Sequence, residues 1–265
     1  MRKATPWLVL LVLLVAAGAW YVLSREPAET HPSVMPLPEA PPPAVTPEPE
    51  YPVEAIEPPA EGEPEPEPLP PFEESDAAII EALAALLGAE AMDAHFVLEQ
   101  VISRIVATID SLPGREIAPL VLPVRPAPGK FITVQEGETV VMGPDNAARY
   151  RTYMDLMQRV ATDDLVAVYA RFYPLFQEAY GSLGYPDGYF NDRLVEVIDH
   201  LLGTPQTSGN DPLVKPEAVY LYADEALESL SAGRKVMLRI GPQNADLVRA
   251  KLTEMRAAVA GREYP

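Results

Sequence analysis

Residues 147–203 read AARYRTYMDLMQRVATDDLVAVYARFYPLFQEAYGSLGYPDGYFNDRLVEVIDHLLG, and how this stretch divides decides the fold class. Nine of the chain's twelve tyrosines lie between Tyr150 and Tyr222, most of them inside it. From Asp163 to Leu183, Tyr169, Phe172, Tyr173, Phe176 and Tyr180 recur at spacings of three and four. At about 100° per residue they share one face of a helix. Leu165, Val168, Leu175 and Ala179 widen that face. Thr162 stands where an N-cap belongs, and Asp163 and Asp164 put negative charge in the first turn, which the helix dipole favours. Pro174 lies within the pattern and predicts a kink. Gly184-Tyr185-Pro186-Asp187-Gly188 is a turn signal. A further helix opens near Asn191–Asp192, carries Leu194, Val197, Ile198, Leu201 and Leu202 on its apolar face, and stops at Gly203.

Upstream of this stretch, Ser75 starts an Ala/Leu-rich helix ending near Gly88. A second helix over about Asp93–Asp110 places Phe96, Val97, Val101, Ile105 and Ile109 at near-helical spacing, and Leu112-Pro113-Gly114 ends it. Arg115–Pro128 is punctuated by proline and reads as irregular. Phe131–Val134 and Thr139–Met142 alternate, are rich in β-branched residues and flank Gln135–Glu138, which predicts a small hairpin. Gly143-Pro144 opens the helix that carries Tyr150 and Tyr153. Downstream, Thr204–Glu217 reads as a loop and Ala218–Tyr222 as a short extended segment. Asp224 caps a helix through Leu230, Arg234–Ile240 is helical, and Pro242 starts a last helix to about Ala260. Gly143-Pro144-Asp145-Asn146-Ala147 is echoed by Gly241-Pro242-Gln243-Asn244-Ala245; each places glycine at an N-cap and proline at the first helical position. Two similar helix starts account for the echo; paired helix N-termini receiving an anion are the sharper alternative.

The N-terminal part of the chain is of another kind. Arg2 and Lys3 precede Trp7–Leu23, seventeen uncharged residues, the lower limit for spanning a bilayer core. Trp7, Trp20 and Tyr21 flank the run as interfacial aromatics do, and the basic residues on its short side favour a cytoplasmic N-terminus. Ala17-Gly18-Ala19 resembles a signal-peptide cleavage site, but the bulky Trp20 and the apolar residues through Leu23 favour an uncleaved anchor. Of the 47 residues Arg25–Pro71, 17 are proline and 11 glutamate. Such a composition is expected to stay disordered, with polyproline II stretches reaching at most roughly 140 Å. The alternative to a spacer is a ligand for a proline-recognising groove.

The expected organisation is thus an anchor (1–24), a Pro/Glu-rich linker (25–71) and a mainly α, single compact multi-helix domain with a small β-hairpin (72–265). The net charge of −19 divides into −11 on the domain and −8 on the tail. Without a basic stripe, nucleic-acid binding and docking of the domain on anionic lipid are unexpected. The absence of cysteine excludes disulfides and lipoprotein anchoring.

Several strings, taken in order, resemble a bacterial envelope family known as domain of unknown function 3014. They include Asp110-Ser111-Leu112-Pro113, Asn146-Ala147-Ala148-Arg149-Tyr150, Phe172–Tyr180, Leu183-Gly184-Tyr185-Pro186, Phe190-Asn191-Asp192-Arg193, Ile198–Leu202 and Leu230–Lys235. The resemblance spans most of Ser75–Ala260 and implies an anchor, a proline-rich linker and an exported domain. It implies no activity.

Metal and cofactor sites are not expected: the domain holds only His95 and His200, and no H-x-x-x-H or EF-hand loop occurs. Nor does a nucleophile motif emerge. Gly181-Ser182-Leu183-Gly184 lacks the first glycine of G-x-S-x-G, and Ser231 is followed by lysine at the fourth position, not the third. Asp199 and His200 are consecutive in a helix and point apart, so Glu196, one turn back, is the expected partner of His200, or else the core takes the ring. Asp192, Asp199 and Asp224 suit paired-carboxylate chemistry only if the fold gathers them. No catalytic residue is assigned.

Arg149, Arg193 and Arg239 each sit in or after an apolar-aromatic pattern, where burial demands a partner. That partner is an internal aspartate or the carboxylate, peptide end or glycan of a ligand. Together with Tyr150, Tyr185, Tyr189, Phe190 and Asn191 they form the candidate ligand-binding set. Arg193, in the first turn of its helix, opposes the dipole and should lie beside Tyr185 and Tyr189 with an internal carboxylate, and Arg149 as a second cation. The expected role is a non-enzymatic interaction or scaffold module, anchored in the inner membrane through Trp7–Leu23 and presented in the periplasm to an envelope protein or cell-wall partner. The alternative is a hydrolase or modifying enzyme of cell-wall glycan or peptide using Asp, Arg and Tyr residues.

Overall fold

The computed structural model describes residues 48–53, 56, 68–217 and 219–260. The expected anchor Trp7–Leu23 and most of the expected linker lie outside the described residues. Among those described, no helix is long and apolar enough to cross a membrane. They all fall in one unit, Thr46–Pro265. The fold is mainly helical: nine α-helices among the described residues, with a small four-stranded antiparallel sheet.

After a 3-10 turn at Phe72–Glu74 come α1 (Asp76–Leu87), α2 (Ala89–His95) and α3 (Val101–Ser111). The single helix expected over 93–110 is therefore two, broken at 96–100. Gln100 takes a left-handed conformation (φ 54°), and the Asp76 carboxylate accepts the Gln100 and Val101 N–H groups at 2.7 and 2.8 Å. It caps α3 from a distance in sequence that periodicity cannot register. Ser75, expected to cap α1, makes no side-chain cap bond and is buried.

Strands β1 (Thr133–Glu136) and β2 (Thr139–Met142) form the expected hairpin. It extends through β3 (Pro212–Val214) to β4 (Leu221–Tyr222), in the order β1-β2-β3-β4. β3 lies in the stretch expected to be loop; it exists because Leu213 pairs with Val140 on one side and Tyr222 on the other. Met142, Leu213 and Tyr222 bury one face of the sheet against Leu238.

A 3-10 turn at Pro144–Tyr150 leads into α4 (Arg151–Arg159), then α5 (Thr162–Ser182) and α6 (Phe190–Leu202). Thr162 does not cap α5. Its hydroxyl donates to Glu254 and accepts from Lys251, so it ties the start of α5 to the last helix. α5 continues as one helix through Pro174. Helices α7 (Glu225–Glu228), α8 (Ala232–Arg239) and α9 (Pro242–Ala260) complete the chain. Asp224 caps α7 as expected, accepting the Ala226 N–H at 2.8 Å.

The echoed helix starts abut. A Cβ added at Gly241 (φ +89°) would meet the Ala147 methyl at 3.1 Å, and Asn244 donates to the Ala147 carbonyl at 3.0 Å. Gly241 thus serves close packing between the two starts, whereas a Cβ at Gly143 would meet the Ile132 side chain at 3.0 Å.

The core divides into clusters. The largest joins α1, α3 and α5 with Phe190. A second joins Val166, the inner face of α6 and the end of α9. Tyr51 and Ile56 pack on this second cluster, although they belong to the stretch read as a spacer.

Candidate functional site

The sequence candidates nearest one another converge where α5 hands over to α6. Gln177 fixes this junction: its side-chain carbonyl accepts the Phe190 N–H at 2.8 Å and its amide donates to the Gly188 carbonyl at 2.7 Å. Tyr173 donates to the same Gln177 oxygen. The aromatic stripe of α5 then closes over the start of α6. Phe176 stacks on Phe190 (centroids 5.8 Å apart, planes 5° apart), and Phe190 is fully buried. A ring so placed is core and does not meet a ligand. Tyr180 stacks on Tyr185 at 4.7 Å, which brings the turn back against the end of α5.

Arg193 stands beside Tyr185, and its partner is internal. Its Nε donates to Asp110 Oδ1 at 2.9 Å, Nη2 to the Asp110 carbonyl at 2.9 Å, and Nη1 to Glu196 at 2.8 Å. Tyr185 donates to the other Asp110 oxygen at 3.4 Å. Desolvation works against the guanidinium's charge, but Glu196 and Asp110 outweigh it and raise its pKa.

Asn191 is also fully buried. Its oxygen accepts the Tyr169 hydroxyl at 3.0 Å, and its amide donates to the carbonyls of Tyr51 (2.8 Å) and Val259 (3.1 Å). Burial pushes the Tyr169 phenol well above its ordinary range, so it stays a neutral donor. The neighbouring Asp192 accepts the backbone N–H groups of Glu50 (3.0 Å) and Tyr51 (2.8 Å), one on each oxygen. Asn191 and Asp192 thus hold an extended strap of chain by its backbone.

The remaining candidates lie elsewhere. Arg149 is not a second cation at this place. It donates to the carbonyls of Pro128, Gly129 and Ala127 and to Asn146, and so fastens the loop before the hairpin. Tyr150 packs against the cluster of Val197, Leu201, Met237, Ile240 and Ala245. Arg239 donates to the Tyr220 carbonyl at 3.0 Å and lies over the Tyr222 ring. The three arginines therefore serve three separate joints.

Of the aspartates, Asp199 is held by Arg256 at 2.6 and 3.0 Å, Asp192 holds the strap, and Asp224 caps α7. His200 pairs not with Glu196 but with Ser231, Nε2 to Oγ at 2.7 Å. This nucleophile–base contact lacks an oxyanion site. Ser231 Oγ also receives the Arg234 N–H, and the amides of Ala232 and Gly233 donate to the carbonyls of Gly114 and Leu112. Among the described residues no group of three or more His, Asp or Glu side chains is placed to hold a metal ion.

Around the strap opens a concavity of about 570 Å³, walled by Glu48, Glu50 and Tyr51 on one side and by Tyr180, Tyr189 and the outer face of α6 on the other. Tyr189 and Arg193 are the sequence candidates on its wall, and Arg193 is already committed to Asp110 and Glu196. Asp110, Gln177, Asp192 and Tyr51 complete the site but were outside the candidate set. The roles of Asp110, Asp192 and Tyr51 depend on contacts between segments far apart in sequence, whereas Gln177 acts within the junction of α5 and α6; for Asp192 the place beside Asn191 at a helix start was a usable signal.

Fold and site define a helical domain built on a tyrosine-rich helix pair whose Asp192, Arg193 and Asp199 are turned to internal partners. The profile of a family of proteins of unknown function, DUF3014, matches residues 101–256, more than half of the chain, and the chain belongs to that family. No curated protein and no solved structure matches it.

Proposed function

We propose that this chain is a single-pass inner-membrane protein that presents its helical domain in the periplasm as a non-enzymatic interaction module. The observation that carries this reading is the concavity beside α6. Arg193, Asp192 and Asp199 at its edge hold the fold or the strap, and what stays open is a concave wall with the half-buried rings of Tyr51 and Tyr189 and the acidic side chains of Glu48, Glu50, Asp187 and Glu196. Such a surface suits recognition of another polymer more than bond-breaking, since aromatic rings offer contact area at low cost in side-chain entropy. The Trp7–Leu23 run and the Pro/Glu-rich stretch behind it support an anchored, outward-held arrangement.

The test is photo-crosslinking in living cells, with a photoreactive amino acid replacing Tyr189 in the full chain. A discrete envelope adduct is expected at Tyr189 and none at Arg159 on the exposed end of α4. Equal, diffuse labelling at both positions overturns the reading. So does release of soluble fragments when the purified chain is incubated with cell-wall polymer, the result that the hydrolase alternative requires.

A further inference from the structure

We propose that the seam between the two largest core clusters is a binding site for one long alkyl chain. Two adjoining spaces lie along this seam, about 210 and 320 Å³. Leu83, Ile105, Leu165 and Met255 border both, so the two adjoin across these four side chains, which a bound chain would turn aside. Protein interiors are close-packed and hold few voids larger than a water molecule. Two apolar spaces of this size between packed helices exceed what close packing leaves, and they give room for an occupant.

The walls state what the occupant is. Apart from Tyr169 and Lys251, every bordering side chain is apolar. The Tyr169 hydroxyl is turned away onto Asn191, so the ring alone faces the seam. A polar group placed inside would find no hydrogen-bond partner. The shape is long: Val259 and Val248 mark its two ends on α9, which at 1.5 Å per residue lie about 16 Å apart. A cavity of about 150 Å³ accepts benzene, or roughly 25 Å³ per carbon, so the two spaces have room for about eight and about thirteen carbons. That is the scale of a membrane acyl chain.

Lys251 gives the chain a direction. It is the one charged side chain on the border, and it lies at the Val248 end. Its ammonium bonds the Val160 carbonyl (2.7 Å) and Thr162 Oγ1 (2.9 Å), with Glu254 at 3.5 Å. An anionic head belongs at that end, displacing the exposed Glu254, with the hydrocarbon running toward Phe190. The occupant is thus a single-chain anionic amphiphile or the acyl chain of an anionic lipid.

The experiment uses the full chain in lipid nanodiscs with palmitate carrying a mid-chain diazirine. After illumination, peptide mapping should find adducts on α1, α3, α5 and α9 at Leu83, Ile105, Leu165 or Met255, displaced by unlabelled palmitate. Leu165→Trp, which fills the seam, should cut this labelling at least tenfold, and Ile105→Phe serves as an independent filling variant. Lys251→Met should weaken competition by palmitate while leaving labelling by an uncharged alkane diazirine intact. The same diazirine chain built into a nanodisc phospholipid distinguishes a membrane source from a free fatty acid, and labelling from either supports the site. Adducts confined to the exposed surface or the N-terminal apolar run overturn the proposal. Filling variants that raise the melting temperature while the wild-type seam takes no label also overturn it, and identify the seam as a packing defect.

Discussion

Arg193 and Asp110 are each misplaced with respect to their own helices, and each corrects the other. A cation in the first turn of α6 and an anion in the last turn of α3 both oppose the helix dipole, at about 0.3–1 kcal/mol apiece. Paired at 2.9 Å, with a further bond to the Asp110 carbonyl, they neutralise both mismatches and lock α3 to α6. Both side chains are only 20% exposed, so removing one strands the other in a poorly solvated place. Arg193→Ala should therefore cost about 1–3 kcal/mol in urea unfolding, and Arg193→Lys should restore only part of it, since a lysine cannot reproduce the planar fork. A loss no larger than that of a surface substitution would defeat this internal role. His200 carries a pH consequence. Desolvation first, and then the nearby Arg234 charge, lower its pKa below the usual 6.5. The unfolded chain takes up the proton first, so this contribution to stability is complete above about pH 6.5 and is lost as pH falls through that value toward the folded pKa. Melting temperatures measured from pH 7.5 to 5.0 should decline, and His200→Gln should flatten part of the decline. An unchanged slope in that variant would assign the acid sensitivity to other groups.

At the scale of elements, the sequence was readable where one face of one helix carries the signal. α5 and α6 follow from residue spacing, α9 from Pro242 at its start, and the Asp224 cap from its position ahead of a short helical stretch. Legibility failed where a distant segment decides. Phe96, Val97, Val101 and Ile105 keep helical spacing across a break imposed by Gln100 and by Asp76, twenty-five residues before Val101. β3 offers one inward apolar residue, Leu213, and owes its existence to its neighbours in the sheet. The strap was hidden by its setting. Among prolines and glutamates Tyr51 looks incidental, and besides its packing on the second cluster it is held through its backbone by Asp192 and Asn191. Composition speaks to side-chain burial and is silent on such bonds. Shortening the chain to begin at Phe72 should accordingly lower its stability by about 1–2 kcal/mol, because a buried amide loses one partner and the Val259 edge loses its cover. A chain beginning at Thr46 should melt as the full chain does. Calorimetry on the two decides the matter, and equal melting temperatures would mean that the strap rests on the domain without stabilising it.

For the whole molecule the proposed function requires that the domain lie outside the inner membrane, and charge distribution supplies the physical argument for that side. Orientation is set by lysine and arginine close to the ends of an apolar run, with acidic residues counting for little. Arg2 and Lys3 lie just before Trp7–Leu23, whereas after it the 47 residues of the Pro/Glu-rich stretch contain one basic residue, Arg25. The proposed orientation rests on this imbalance, which would hold the N-terminus in the cytoplasm and leave the acidic remainder free to cross. Alkaline phosphatase joined after Pro265 should therefore be active in intact bacteria, and the fusion should remain in the membrane fraction at full size. The variant with Arg2→Glu and Lys3→Glu removes the retaining charge, and should lower the active fraction without lowering total fusion protein. Recovery of active fusion in the soluble periplasmic fraction, shortened by about twenty residues, would point to cleavage after Ala17-Gly18-Ala19 and replace an anchored domain by a released one. A fusion that accumulates at full size in the membrane yet stays inactive would overturn the outward orientation, and with it any encounter between the Tyr189 concavity and the envelope outside the inner membrane.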